Sequence, residues 1–84
     1  MNKELKVKKT TYKVDGSTEP CFEVSGECAM VRIAPFYHFV GPNTILVTEY
    51  LDGEWNSEDE WTGDFDNLTE DGAVEIATRY SVYL

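Results

Sequence analysis

Apolar and polar positions alternate in Cys21 to Ser25 and Ala29 to Ala34, and along the chain glycine, proline and aspartate fall at intervals typical of an antiparallel meander. Leu5 to Val14, rich in Val, Thr, Tyr and Lys, reads as a first strand that ends in the turn Asp15-Gly16-Ser17-Thr18-Glu19-Pro20. Cys21 to Ser25 and Ala29 to Ala34 flank Ser25-Gly26-Glu27, which predicts a hairpin of a second and third strand. Pro35 interrupts. Phe36 to Val40 reads as a fourth strand or as an edge continuation of the third, closed by Gly41-Pro42-Asn43. Thr44 to Leu51 is the most apolar, β-branched window and is expected to be a central strand. Asp52-Gly53 then supplies the positive φ angles of a type I′ turn, which sets Leu51 opposite Glu54 and Tyr50 opposite Trp55.

The period changes near the C-terminus. Ala73, Ile76, Ala77 and Tyr80 recur at i, i+3, i+4 and i+7, the one-sided stripe of a helix. Asn67 or Thr69 can cap it, and Glu70 and Asp71 put negative charge where the helix dipole favours it. The expectation is a helix from about Thr69 to Tyr80, with Ser81 to Leu84 as a tail. The fold class is therefore α+β, an antiparallel sheet of four or five strands with one C-terminal helix packed on one face. At 84 residues the chain has room for a single domain, spanning 1–84, with a thin core.

Charge divides the chain. There are 16 Asp and Glu against 7 Lys and Arg, a formal net charge of −9. Five of the cations (Lys3, Lys6, Lys8, Lys9, Lys13) fall in or beside the first strand, and no Lys or Arg stands between Arg32 and Arg79. That balance argues against direct nucleic-acid binding, which needs cations to displace phosphate counterions. No window approaches the apolar length of a membrane span, and the N-terminus has no apolar run of signal-peptide length, so a cytoplasmic location is expected.

From residue 52 to 66, Asp52, Glu54, Glu58, Glu60, Asp64 and Asp66 are even-numbered while Trp55, Trp61 and Phe65 are odd; Asp59 breaks the rule. In an extended chain alternate residues share a side, so carboxylates would line one side at roughly 6–7 Å and aromatics the other, a spacing close to that of successive phosphates. A turn within residues 56–63 is expected to interrupt this pattern. Glu49, Asp52, Glu54, Trp55, Glu58, Asp59, Glu60, Trp61, Asp64, Phe65 and Asp66 are the candidate partner-binding residues. Their bland alternatives are a solvated acidic loop for the charges and core packing for the rings.

Other chemistry is weakly supported. His38 is the only histidine, and with Cys21 and Cys28 it matches no zinc spacing. Cys21 and Cys28 could face each other across the predicted hairpin, but two buried hydrophobes suit a reducing compartment better. Asp64 to Asp71 superficially suggests a calcium loop, yet Leu68 stands where an oxygen ligand belongs. No acid is paired with a base and no nucleophile sits in a recognisable turn, so neither a catalytic residue, a metal nor a cofactor is expected.

In size, acidity and the run from Glu49 to Glu75, the chain resembles the small inhibitors that bacteriophages and mobile elements use against host defences, among them anti-CRISPR proteins and DNA mimics. The resemblance implies a stoichiometric protein-protein inhibitor acting in a bacterial cytoplasm; the acidic run points to the basic surface of a nucleic-acid-handling protein as its partner, and a non-enzymatic monomer or homodimer is expected. It carries no residue across, because such inhibitors share no common sequence. The alternative expectation is a small structural or assembly protein that self-associates through a sheet edge.

Overall fold

The computed structural model describes residues 4–35 and 43–84. Its elements are β1 (Lys6–Val14), β2 (Ser17–Ser25), β3 (Ala29–Pro35), β4 (Thr44–Leu51), β5 (Glu54–Thr62), a 3₁₀ turn (Phe65–Asn67) and α1 (Glu70–Tyr80). The five strands form one antiparallel sheet in chain order, with β1 and β5 at its two edges. The α+β class follows directly. The proposed strand Phe36–Val40, His38 and Gly41-Pro42 lie outside the described residues.

Two identical dipeptides fold the two outer hairpins. Asp52 and Gly53 have φ of 51° and 84°, and Asp15 and Gly16 have 49° and 83°, so both connections place two consecutive residues in the left-handed region. This is the backbone of a type I′ turn, whose twist matches that of paired strands. The register Tyr50↔Trp55 and Leu51↔Glu54 is the one the Asp52-Gly53 turn predicts. The first turn is tighter than expected: β2 begins at Ser17, and Pro20 lies inside it. Proline is tolerated there because the ladder from β2 to β3 runs only from Phe22 to Ser25, so Pro20 is paired to β1 alone.

Alternation then sorts the side chains. Phe22 and Val24 from β2, Val31 and Ile33 from β3, and Ile45 and Val47 from β4 all point to one side and form the core. The helix covers this side, packing on β1, β2 and β3 through Ala73 and Ala77, while Phe65 and Leu84 close its two ends. Two alanines one turn apart bring the helix axis close to the sheet. Thr69 caps the helix by accepting the Gly72 N–H at 3.1 Å, and Glu70 and Asp71 occupy its first turn.

Residues 54–62 form one continuous strand, so the expected turn within 56–63 is absent. What breaks the alternation instead is a bulge: Glu49 pairs with Ser57 and Tyr50 with Trp55, leaving Asn56 as an extra residue. The bulge reverses the parity of everything before it. Trp55 therefore shares a side with Glu58 and Glu60, whereas Trp61 and Asp59 project to the helix side.

The left-handed turn residues carry a direct expectation. Gly53→Ala puts a Cβ at φ 84°, and although nothing lies within 4 Å of it, the backbone strain alone should lower stability by about 1–2 kcal/mol in denaturant titration. An unchanged midpoint would show that the hairpin does not depend on this turn.

Candidate functional site

The structure divides the candidate residues into three groups, with Trp61 apart from them. Glu49 and Phe65 are interior, at 4% and 5% exposure, so neither can meet a partner in this fold. Phe65 stacks at 5.6 Å on Phe22 and fills the core beneath the 3₁₀ turn, a better place for a phenyl ring than a solvated face. Asp52 and Asp64 are spent on local structure. Asp52 sits in the type I′ turn, and Asp64 accepts from the Asp66 N–H at 3.2 Å and from the Asn67 amide. Glu54, Trp55, Glu58, Asp59, Glu60 and Asp66 are left exposed, and all but Asp66 belong to β5.

Trp61 has a mixed role. Half-buried against Tyr80 in an edge-on contact of 5.9 Å, it donates its indole N–H to Asp59 at 3.2 Å. It braces β5 against the helix and orients the Asp59 carboxylate. Glu58, on the other side, accepts from the Thr48 hydroxyl at 3.4 Å. The even-acid, odd-aromatic rule thus gives way to a different arrangement: an edge strand with carboxylates on both of its sides and one tryptophan beside two of them.

Strand order gives this edge its electrostatic character. The lysines Lys6, Lys8, Lys9 and Lys13 lie on β1, at the opposite edge and about 19 Å away over four strand spacings. Two of them are engaged locally. Lys8 pairs with Glu23 at 3.6 Å, and the Lys9 ammonium lies 5.5 Å from the Phe22 ring and 5.7 Å from that of Phe65. The ion pairs Lys8–Glu23, Arg32–Glu23 and Arg79–Glu75 use none of the acids between Glu49 and Asp66. The β5 carboxylates stand unneutralised by the described residues.

One cluster was not foreseen. On the side of the sheet away from the helix, the Arg32 guanidinium lies 4.5 Å from the Tyr12 ring and 5.1 Å from that of Tyr50, donates to Tyr50 Oη at 3.0 Å, and approaches Glu23 at 4.0 Å. Its Nε is buried with no hydrogen-bond partner, the kind of loss that stacking on two rings offsets. This layer belongs to the side that buries Cys21 and Ala34, although among the described residues no helix packs on it. Burial holds the Tyr12 hydroxyl above its ordinary value, against the opposing effect of Arg32. The sequence signal was present, a lone arginine in an apolar strand, but its two tyrosine partners are 20 and 18 residues distant.

Cys21 and Cys28 are free and differ in environment, the first buried and the second exposed. Cys21 pairs across to Thr10, and Cys28 lies in the β2–β3 connection, so they do not face each other. Burial, and then the charge of Glu23, raises the Cys21 thiol above 9.0. Because the folded state holds that proton more tightly than the unfolded chain, Cys21 takes stability away as pH rises past its unfolded value near 9. The alkaline loss should shrink in Cys21→Ala. Under native conditions, a thiol reagent should label Cys28 rapidly and Cys21 only on unfolding. Equal labelling of both thiols would contradict the burial.

Under the helix, the bulge builds a polar cluster. The Glu49 carboxylate accepts from the Ser81 hydroxyl and from the Asn56 amide at 2.7 Å, while the Ser57 and Tyr80 hydroxyls share a hydrogen bond of 2.8 Å. Ser81 is the C-cap of α1, so this cluster ties the end of the helix to β4 and β5. It joins the acidic edge to the end of the helix.

Among the described residues, no three His, Cys, Asp or Glu side chains gather as a metal site, and no helix is long and apolar enough to cross a membrane. No protein-family model, curated protein or solved structure matches the chain.

Proposed function

We propose that this domain is a non-enzymatic protein binder that places its acidic β5 edge on the basic nucleic-acid-binding surface of a host protein, such as a CRISPR-Cas component, and blocks it. The observation that supports this reading is the fixed position of Glu54, Glu58, Asp59 and Glu60 on an edge strand that carries no cation. Concentrating like charge on a small fold costs stability through repulsion, and a complementary positive surface offsets that cost. The β4 ladder, the Trp61–Tyr80 contact and the Glu49 cluster hold the edge in shape before a partner arrives, which reduces the ordering entropy of docking.

The test is competition with DNA for a panel of CRISPR-Cas effector complexes, read by fluorescence anisotropy of a labelled oligonucleotide. The protein should displace DNA from at least one complex at about 50 mM salt and far less at about 500 mM, where screening is nearly complete within a few ångströms. Failure to displace DNA from any complex at low salt would count against the proposal. A second reading, self-association, draws on the two unpaired edges β1 and β5 and their opposite charges. Light scattering separates the two readings: a monomer at micromolar concentration argues against self-association.

A further inference from the structure

Tyr50 and Trp55 are cross-strand partners on the side of the sheet away from the helix, and Trp55 is 61% exposed. Glu58 stands on the same side one pair further along, opposite Thr48, and Glu60 follows opposite Leu46. A tryptophan so exposed is costly to leave in water and is the commonest kind of residue to anchor an interface. The same side of the sheet also shows what it accepts. Arg32 lies between the rings of Tyr12 and Tyr50 with Glu23 near its Nε, so one guanidinium is already held there by aromatic faces and a carboxylate.

Around Trp55 the same chemistry recurs without the arginine. The exposed Trp55 indole and the Glu58 carboxylate stand on one side of the sheet, two ladder positions or about 7 Å apart, with Glu60 a further two positions along, and among the described residues no Lys or Arg is placed over the indole. We infer that the open face at the β4–β5 tip seats an arginine side chain of the basic partner, with the guanidinium on Trp55 and its N–H groups toward Glu58. The inference rests on the reading of β5 as the docking edge. Arginine is favoured over lysine because its flat guanidinium stacks on an indole and can at the same time donate two parallel hydrogen bonds to a carboxylate.

The probes are nona-arginine and nona-lysine peptides, titrated calorimetrically at about 50 mM salt, where the carboxylates are weakly screened. Nona-arginine should bind the wild-type protein more tightly than nona-lysine. Trp55→Ala should weaken nona-arginine by about 3- to 30-fold and reduce the difference between the peptides, while Trp55→Phe keeps most of it. Trp55→Thr, which retains strand propensity, should behave like the alanine variant and guards against a folding defect. If Trp55→Ala and Trp55→Thr leave nona-arginine affinity unchanged while Glu58→Gln with Glu60→Gln lowers it, the arginine seat is wrong and the acidic edge survives. If nona-arginine fails to bind at all, both fall. If sedimentation shows a wild-type dimer that Trp55→Ala converts to monomer, the occupant is a second copy and the inference is overturned.

Discussion

Ile33→Ala should lower the unfolding free energy by about 2–5 kcal/mol, the range for deleting a large aliphatic side chain from a packed interior. Ile33 is fully buried on the middle strand, paired with Phe22 on one side and Val47 on the other. A domain of 84 residues has roughly 4–13 kcal/mol in all, so this one truncation takes a large share. Val82→Ala provides the contrast: at 84% exposure it should change stability by no more than about 0.5 kcal/mol. Urea titration of both variants checks the pair. Equal midpoints would mean that the core does not lie between the sheet and the helix.

Reversing Glu58, Asp59 and Glu60 to lysine should slow association with a basic partner by about 100-fold or more at low salt, within the range that electrostatic steering commands. The three lie consecutively on β5, so the change places positive charge on both sides of the edge. Each reversal adds two charges, which takes the net charge from −9 to −3. The control is Glu4, Glu19 and Glu27 reversed together, which gives the same −3 away from β5. Stopped-flow association rates should fall for the first set and change little for the second. Equal slowing by both sets would show that total charge, and not the β5 edge, governs the encounter.

Most of the sheet was legible because its signals are local. Two Asp-Gly turns, the β-branched window at Thr44–Leu51 and the stripe of Ala73 and Ala77 act over a few residues, and the structure places a turn, a strand or a helix at each. Strand β2 begins at Ser17 and not at Cys21 as the sequence predicts, because Pro20 lies beyond the β3 ladder and so costs no hydrogen bond there. The surface was harder. The bulge at Asn56 depends on what β4 presents opposite it, and Glu49 looks like one more surface acid until Ser81, 32 residues later, reaches its carboxylate. The Tyr12–Arg32–Tyr50 layer joins three strands and leaves no trace in periodicity. Long-range pairings of this kind decided which acids face outward.

Because the lysines of β1 and the carboxylates of β5 occupy opposite rims of a single sheet, and the acids of β2 partly offset those lysines, the β5 side is the more negative and charge is unevenly spread across the molecule's width. In the field of a cationic body such an object feels a torque as well as a pull. It would turn while still several ångströms away, leading with its anionic rim, so that a larger share of collisions begins in the right orientation.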